Sequence, residues 1–289
     1  MFKGSFVAIV TPFRKGKIDY KKFRELVEFQ IENGIDGIVP AGCTGEAATL
    51  AHEEQKKLVK FTCEIVNKRV SVIGGAGSNS TTEAISLTKH AKKAGCDGVL
   101  SITPYYNKPT PEGQFRHYAA VAKSADIPLM IYNVPSRTGI SMSPQTVARL
   151  SKIDNITSIK EASGSLDQVS RILSVCDITV LSGDDALTLP MMSIGARGVV
   201  SVTANIVPRE VHDMVSYFLD GDHERARKMH YRMLPLAEAM FIETNPIPVK
   251  TSLRMMRRLN GEFRLPLCGM ERENEAKLKK ILKKYGLLR

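Results

Sequence analysis

From the first residues to about position 202, short apolar or alternating runs are separated by longer stretches whose apolar positions recur at helical spacing. The spacing predicts eight strands: FVAIV (6–10), GIVP (37–40), VSVIGG (70–75), GVLSI (98–102), LMIYN (129–133), ITSIK (156–160), ITVLSG (178–183) and GVVSV (198–202). Between them, patterns such as YKKFRELVEFQIENG (20–34) and TTEAISLTKHAKKAG (81–95) read as amphipathic helices, each ending on a glycine suited to a left-handed C-cap. "NGIDG" (33–37) and "AGCDG" (94–98) are two copies of one helix-to-strand junction. Repeated strand–helix units predict an α/β fold, a closed (β/α)8 TIM barrel, with an open doubly wound sheet as the alternative. Further helical patterns near 208–219, 222–243, 247–258 and 271–285 are more than one closing helix requires. The expected division is therefore a barrel over 1–222 and a C-terminal helical subdomain over 223–289.

Composition narrows the class. With 289 residues, 43% of them hydrophobic, the chain can bury a sizeable core. The start, MFKGSFVAIV, lacks the long apolar stretch and cleavage site of a signal peptide, and no run reaches the roughly eighteen apolar residues that span a bilayer. A soluble cytoplasmic protein with no membrane partner is expected. Five scattered cysteines with no C-x-x-C pair, and six histidines with no H-E-x-x-H pattern, suggest neither a disulfide framework nor a metal site. Of the net charge of +11, much lies in residues 250–289, where twelve Lys/Arg face four Asp/Glu. That segment has only two aromatics, Phe263 and Tyr285, and no nucleic-acid motif, so a solvated helix face or steering of anionic substrates accounts for it without nucleic acid.

The candidate chemistry begins with Lys160, a cation at the end of an otherwise apolar strand. A surface lysine at a strand terminus is the plain alternative. In a barrel, however, active sites gather at the C-terminal ends of strands, and Tyr132 holds the matching position one strand earlier. Adjacent strands lie about 4.8 Å apart, so amine and phenol can reach one ligand. A neutral lysine attacks a ketone to form a Schiff base, and a nearby phenol can move the protons that this requires. The loop "AGCTGEAATL" (41–50) could hold a carboxylate on backbone N–H groups and Thr44, or be simply a tight turn. "GGAGSN" (74–79) lacks the third glycine of a dinucleotide fingerprint and no Walker motif occurs, so no nucleotide cofactor is indicated.

"GCTGE", "PYYNKP" (104–109), "YNVPSRTG" (132–139), "IKEASG" (159–164), "LSGDD" (181–185) and "NPIPVK" (245–250) together resemble the dihydrodipicolinate synthase branch of the pyruvate-dependent class I aldolases, end to end and in order. The resemblance implies a cofactor-free lyase that condenses pyruvate with L-aspartate 4-semialdehyde to 4-hydroxytetrahydrodipicolinate, in lysine and diaminopimelate biosynthesis. It makes Lys160 the Schiff-base lysine, Tyr132 the proton-relay phenol and Tyr106 its partner, reaching in from a neighbouring subunit. Thr44 and the backbone around Gly183 and Val200 would cradle pyruvate, and the Arg137 guanidinium would clamp the acceptor's carboxylate. A tetramer of tight dimers is implied likewise. Cys43 is a departure, standing where the family usually has a hydroxyl residue in the relay. A thiol is a weaker donor, so the relay would run less efficiently or through a water. Ala48, His52, Asn79, Glu83 and Tyr105 match positions of a lysine-feedback pocket at a subunit interface, although Gln55 replaces a histidine often found there. A related keto acid or sugar acid aldolase, and a non-catalytic pyruvate- or lysine-binding barrel, are the alternatives.

Overall fold

Eight parallel strands close into a barrel in the computed structural model, which describes residues 2–288. The strands are β1 (Gly4–Ala8), β2 (Gly37–Val39), β3 (Ser71–Gly75), β4 (Gly98–Ile102), β5 (Leu129–Asn133), β6 (Ile156–Glu161), β7 (Thr179–Ser182) and β8 (Gly198–Ser201). Each pairs with its chain neighbour, and β8 closes the ring on β1 with Gly4 opposite Gly198.

Side chains alternate across such a wall, and the sequence uses both sides. Phe6, Ala8, Val39, Ile73, Leu100, Met130, Leu181 and Val200 form a cluster of their own inside the barrel. Their strand neighbours Val7, Ile38, Val72, Val99, Ile131, Ile159, Val180 and Val199 join a separate, larger core under the helices. The near-continuous apolar strands thus reflect burial on two faces.

Helices α1 (Tyr20–Glu32), α2 (His52–Val66), α3 (Thr81–Ala94), α4 (Pro111–Ser124), α5 (Pro135–Thr138), α6 (Pro144–Leu150), α7 (Leu166–Val175), α8 (Thr188–Ser193) and α9 (Pro208–Leu219) follow the strands around the outside. The repeated Gly-x-Asp-Gly junction has a local cause. Asp36 Oδ2 accepts the Ser5 N–H at 2.7 Å and Asp97 Oδ2 accepts the Val72 N–H at 2.9 Å, so each aspartate caps the start of the preceding strand.

Beyond the barrel, α10 (His223–Ala239) packs on α9, while α11 (Ile247–Met255) and α10 both meet α12 (Arg272–Tyr285). Two tail helices are shorter than their patterns suggested. The one expected over 222–243 stops at Ala239 and turns through residues 240–246 toward the barrel mouth, and the one expected over 247–258 stops at Met255, before Arg257 adopts φ +59°. The first strand lies at Gly4–Ala8 rather than 6–10, and a short ribbon of Phe13–Arg14 on Lys17–Ile18 follows it, which the pattern did not signal. Among the described residues, no helix is long and apolar enough to cross a membrane.

Candidate active site

The register of β5 on β6 sets Tyr132 directly opposite Lys160, so both side chains point into the barrel at one height. Neither residue ends its strand: Asn133 and Glu161 follow, and by alternation they face the helices instead. There the Glu161 carboxylate accepts both the Asn133 amide, at 3.0 and 3.1 Å, and the Ser163 N–H at 2.8 Å. Inside, Lys160 is 5% exposed and its Nζ lies 4.4 Å from the Tyr132 ring centroid.

Gly183 makes room for this lysine. A Cβ there would stand 2.9 Å from Lys160 Cε and 2.6 Å from Ala162 Cβ, so any side chain would displace the lysine stem. Val200 sits in the barrel's inner cluster on β8. Asp185 is half-buried and accepts the Ser201 hydroxyl and the N–H groups of Val202 (2.9 Å) and Thr203 (3.1 Å), which fixes the chain leaving β8.

Burial pushes the Lys160 amine down to about 8, with Arg137 adding to the effect and Cys43 and Asp185 opposing it. Roughly one-tenth of the amine is then neutral at pH 7, and nucleophilic attack requires that form. Burial, and then the Cys43 thiol beside it, push the Tyr132 phenol well up, so it stays protonated and able to donate.

The loop after β2 forms the next wall. Its chain passes close behind β3: a Cβ on Gly75 would fall 2.0 Å from the Ala41 carbonyl oxygen. Thr44 Oγ1 accepts the Asn245 side-chain amide at 3.0 Å. An amide N–H can only donate, so the threonine's own O–H is left free to donate elsewhere. Arg137, on the four-residue α5, donates from Nη2 to the Asn245 carbonyl at 2.8 Å. Glu46 has left-handed backbone, φ +56°, a conformation that costs a non-glycine residue about 1 kcal/mol or more. Its fully buried carboxylate is bound to Lys250 of α11.

A cavity of about 540 Å³ opens above these residues, lined among others by Cys43, Tyr132, Arg137 and Asn245. The same cavity extends to Ala48, His52, Glu83 and Tyr105. There Glu83 accepts the Ser78 hydroxyl at 2.6 Å and lies 3.6 Å from His52 Nε2. Gln55 also lines it, but its amide is committed to the Gly75 carbonyl at 2.9 Å.

The fold therefore gathers Lys160, Tyr132, Cys43, Thr44, Arg137, Gly183 and Val200 around one barrel mouth. Two expected residues stand apart. Tyr106 is 90% exposed with φ +68° on the loop before α4, and Asn79 gives its carbonyl to the Asn107 side chain at 2.9 Å and its backbone N–H to the Tyr105 phenol, without itself lining the cavity. Asn245, Asp185 and the Glu46–Lys250 pair were assigned no role from sequence. They lie inside or beside motifs that could have drawn attention to them, but nothing periodic links residues some 200 positions apart.

A buried amine held partly neutral beside a protonated phenol, at the mouth of an eight-stranded barrel, suits carbinolamine and imine chemistry, as in a lyase of the aldolase type. Comparison with known proteins takes this further. Residues 1–285 match the model of the dihydrodipicolinate synthetase family. The chain is 58% identical to the 4-hydroxy-tetrahydrodipicolinate synthase of Geobacter sulfurreducens and 54% identical to that of Syntrophus aciditrophicus, each over 290 residues and the whole of both chains. Among solved structures, it superposes with a TM-score of 0.97 on the chloride-inhibited dihydrodipicolinate synthase from Acinetobacter baumannii complexed with pyruvate, at 41% identity and covering 100% of both chains. The dihydrodipicolinate synthase from Cyanidioschyzon merolae with lysine bound gives 0.96 at 43% identity, with 99% of each chain covered. The chain belongs to the dihydrodipicolinate synthetase family.

Proposed function

We infer that this protein is a lyase that condenses pyruvate with L-aspartate 4-semialdehyde to 4-hydroxytetrahydrodipicolinate, a step of lysine and diaminopimelate biosynthesis. The observation that carries the reading is Lys160, buried against Tyr132 with its amine lowered to about 8. The neutral amine attacks the pyruvate ketone, and loss of water from the carbinolamine leaves an imine. Loss of a methyl proton gives the enamine, whose carbon attacks the aldehyde of the second substrate. Attack of that substrate's own amine on the imine carbon closes the ring and frees Lys160.

Tyr132 is suited to carry protons to and from the carbinolamine oxygen, with Cys43 beside it in the place of a hydroxyl. The free Thr44 hydroxyl faces a pyruvate carboxylate, and Arg137 at the cavity wall faces the acceptor's. Gly183 serves by clearing space for Lys160, and Val200 by shaping the floor. Tyr106, exposed on its own protomer, completes the relay of a neighbour in a tight dimer, two of which form the tetramer. The barrel over 1–222 holds these groups, with the helical subdomain over 223–289 packed against it, and the protein works in the cytoplasm.

Incubation with pyruvate and borohydride, followed by intact mass measurement, gives a reduced adduct in the wild type and none in Lys160→Ala. Absence of the adduct from the wild type overturns the reading in favour of a barrel that only binds. Rates across a set of aldehydes then separate this activity from a related keto acid aldolase.

L-lysine is the proposed feedback ligand of the outer cavity. His52, Glu83 and Tyr105 together supply a carboxylate, an imidazole and a phenol to a molecule bearing two ammonium groups and one carboxylate, with Ala48 as apolar wall. Titration with L-lysine lowers activity, with half-inhibition at or below millimolar concentration. Unchanged activity through that range removes the proposal.

A further inference from the structure

We propose that Glu46 and Lys250 are positioning residues of the condensation, a buried latch that holds helix α11 against the catalytic loop and so aligns Thr44, Asn245 and Arg137. This inference rests on the functional reading above for its kinetic arm only.

Both side chains of the pair are 0% exposed, and Lys250 Nζ donates to Glu46 Oε1 and, at 2.7 Å, to the Glu262 carbonyl. The ammonium lies 4.6 Å from the Phe13 ring centroid and 4.7 Å from that of Phe263, so two aromatic faces enclose it. Glu46 Oε2 is buried with no hydrogen-bond partner, so Lys250 is the one side chain hydrogen-bonded to this carboxylate, with the charge of Arg264 also favouring its ionised form. Burial pushes Glu46 up and Lys250 down, and the bond between them opposes both shifts.

The placement of the pair gives it a purpose beyond stability. Glu46 is two residues past Thr44 and holds a left-handed backbone in the middle of the loop. Lys250 is five residues past Asn245, which touches Thr44 through its side chain and Arg137 through its carbonyl. Of the contacts between the tail and the site, the latch is the one that ties the loop and the helix together directly behind the Thr44–Asn245 bond. Tyr132 lies on β5 and Lys160 on β6, outside the two latched segments, so imine formation at saturating pyruvate can be read apart from substrate alignment.

The test uses Lys250→Met, which keeps volume and removes the donor. Hydrogen exchange read by mass spectrometry accelerates at least tenfold in residues 43–47 and 244–250 together, while β5 and β6 exchange as in the wild type. The KM for the aldehyde substrate rises tenfold or more through Arg137 and that for pyruvate rises with it through Thr44, while the yield of the borohydride-trapped adduct at saturating pyruvate stays at the wild-type level. Exchange unchanged in both segments, or KM and kcat within twofold of the wild type, overturns the latch. Should Lys250→Met fail to fold, Glu46→Gln, which retains shape and an acceptor, raises the same KM threefold or more, and unchanged constants there overturn the proposal equally. A wild type that forms no adduct overturns the functional reading alone, and the exchange measurement then decides the latch by itself.

Discussion

Lys160→Ala loses turnover by about 10⁴-fold or more, the scale seen when a covalent nucleophile is removed from an enzyme, equivalent to about 5.5 kcal/mol of transition-state stabilisation. The loss is this large because, among the described residues, the cavity wall offers no lysine to replace it: Lys250 is fully buried and bound to Glu46. In the wild type, the pH dependence of imine formation carries the same information. A lysine amine lowered to about 8 is roughly one-tenth neutral at pH 7. The rate of imine formation therefore rises nearly tenfold per pH unit below that value and levels above it, because only the neutral form attacks. Rapid-mixing measurement of adduct formation from pH 6 to 9 checks this, and a level profile, or residual turnover in Lys160→Ala above a thousandth of the wild type, contradicts it.

Tyr132→Phe lowers kcat by about 10² to 10³-fold, within the range that a positioned acid or base contributes. The substitution is clean because the ring, not the hydroxyl, packs in the inner cluster with Met130, Leu100 and Val134. The ring face 4.4 Å from Lys160 Nζ also remains, so the amine stays buried and its pH break stays near 8. Adduct yield at long incubation is unchanged while its rate of formation falls. Steady-state turnover within threefold of the wild type shows that another group carries the proton, Cys43 being the neighbour to replace next.

The alignment of Tyr132 with Lys160 was legible because both lie on the same parity of short, strongly apolar strands, and burial of their neighbours pins that parity. Eight strands with helices between them also left few topologies other than the barrel. What escaped reading follows from the same physics. The ribbon at 13–18 has two residues per arm, too short for any periodicity, and α5 is a single turn. Gly183 was read as cradling backbone, but the structure gives it a second cause, since Lys160 occupies the volume that its side chain would fill. Asp185 and the Glu46–Lys250 pair are ordinary charges in sequence. Full burial of the pair, and the hydrogen bonds that converge on Asp185, turn them into structure, and both are decided by segments that meet only in three dimensions.

Closure of β1 on β8 has a further consequence for how the chain is made. Gly4 is paired with Gly198, and Thr44 and Asn245, the two sides of the substrate wall, are 201 positions apart. At a synthesis rate of roughly 5–20 residues per second, the first strand waits on the order of 10–40 s with one edge unpaired, the state in which strands are most open to association with other chains. The nascent polypeptide is inert through that interval and beyond it, since the barrel can close before residues 244–250 emerge but the site cannot be finished without them. The wall of the site is thus completed late in translation, when the tail docks, and full activity waits further on the neighbouring protomer proposed to bring Tyr106.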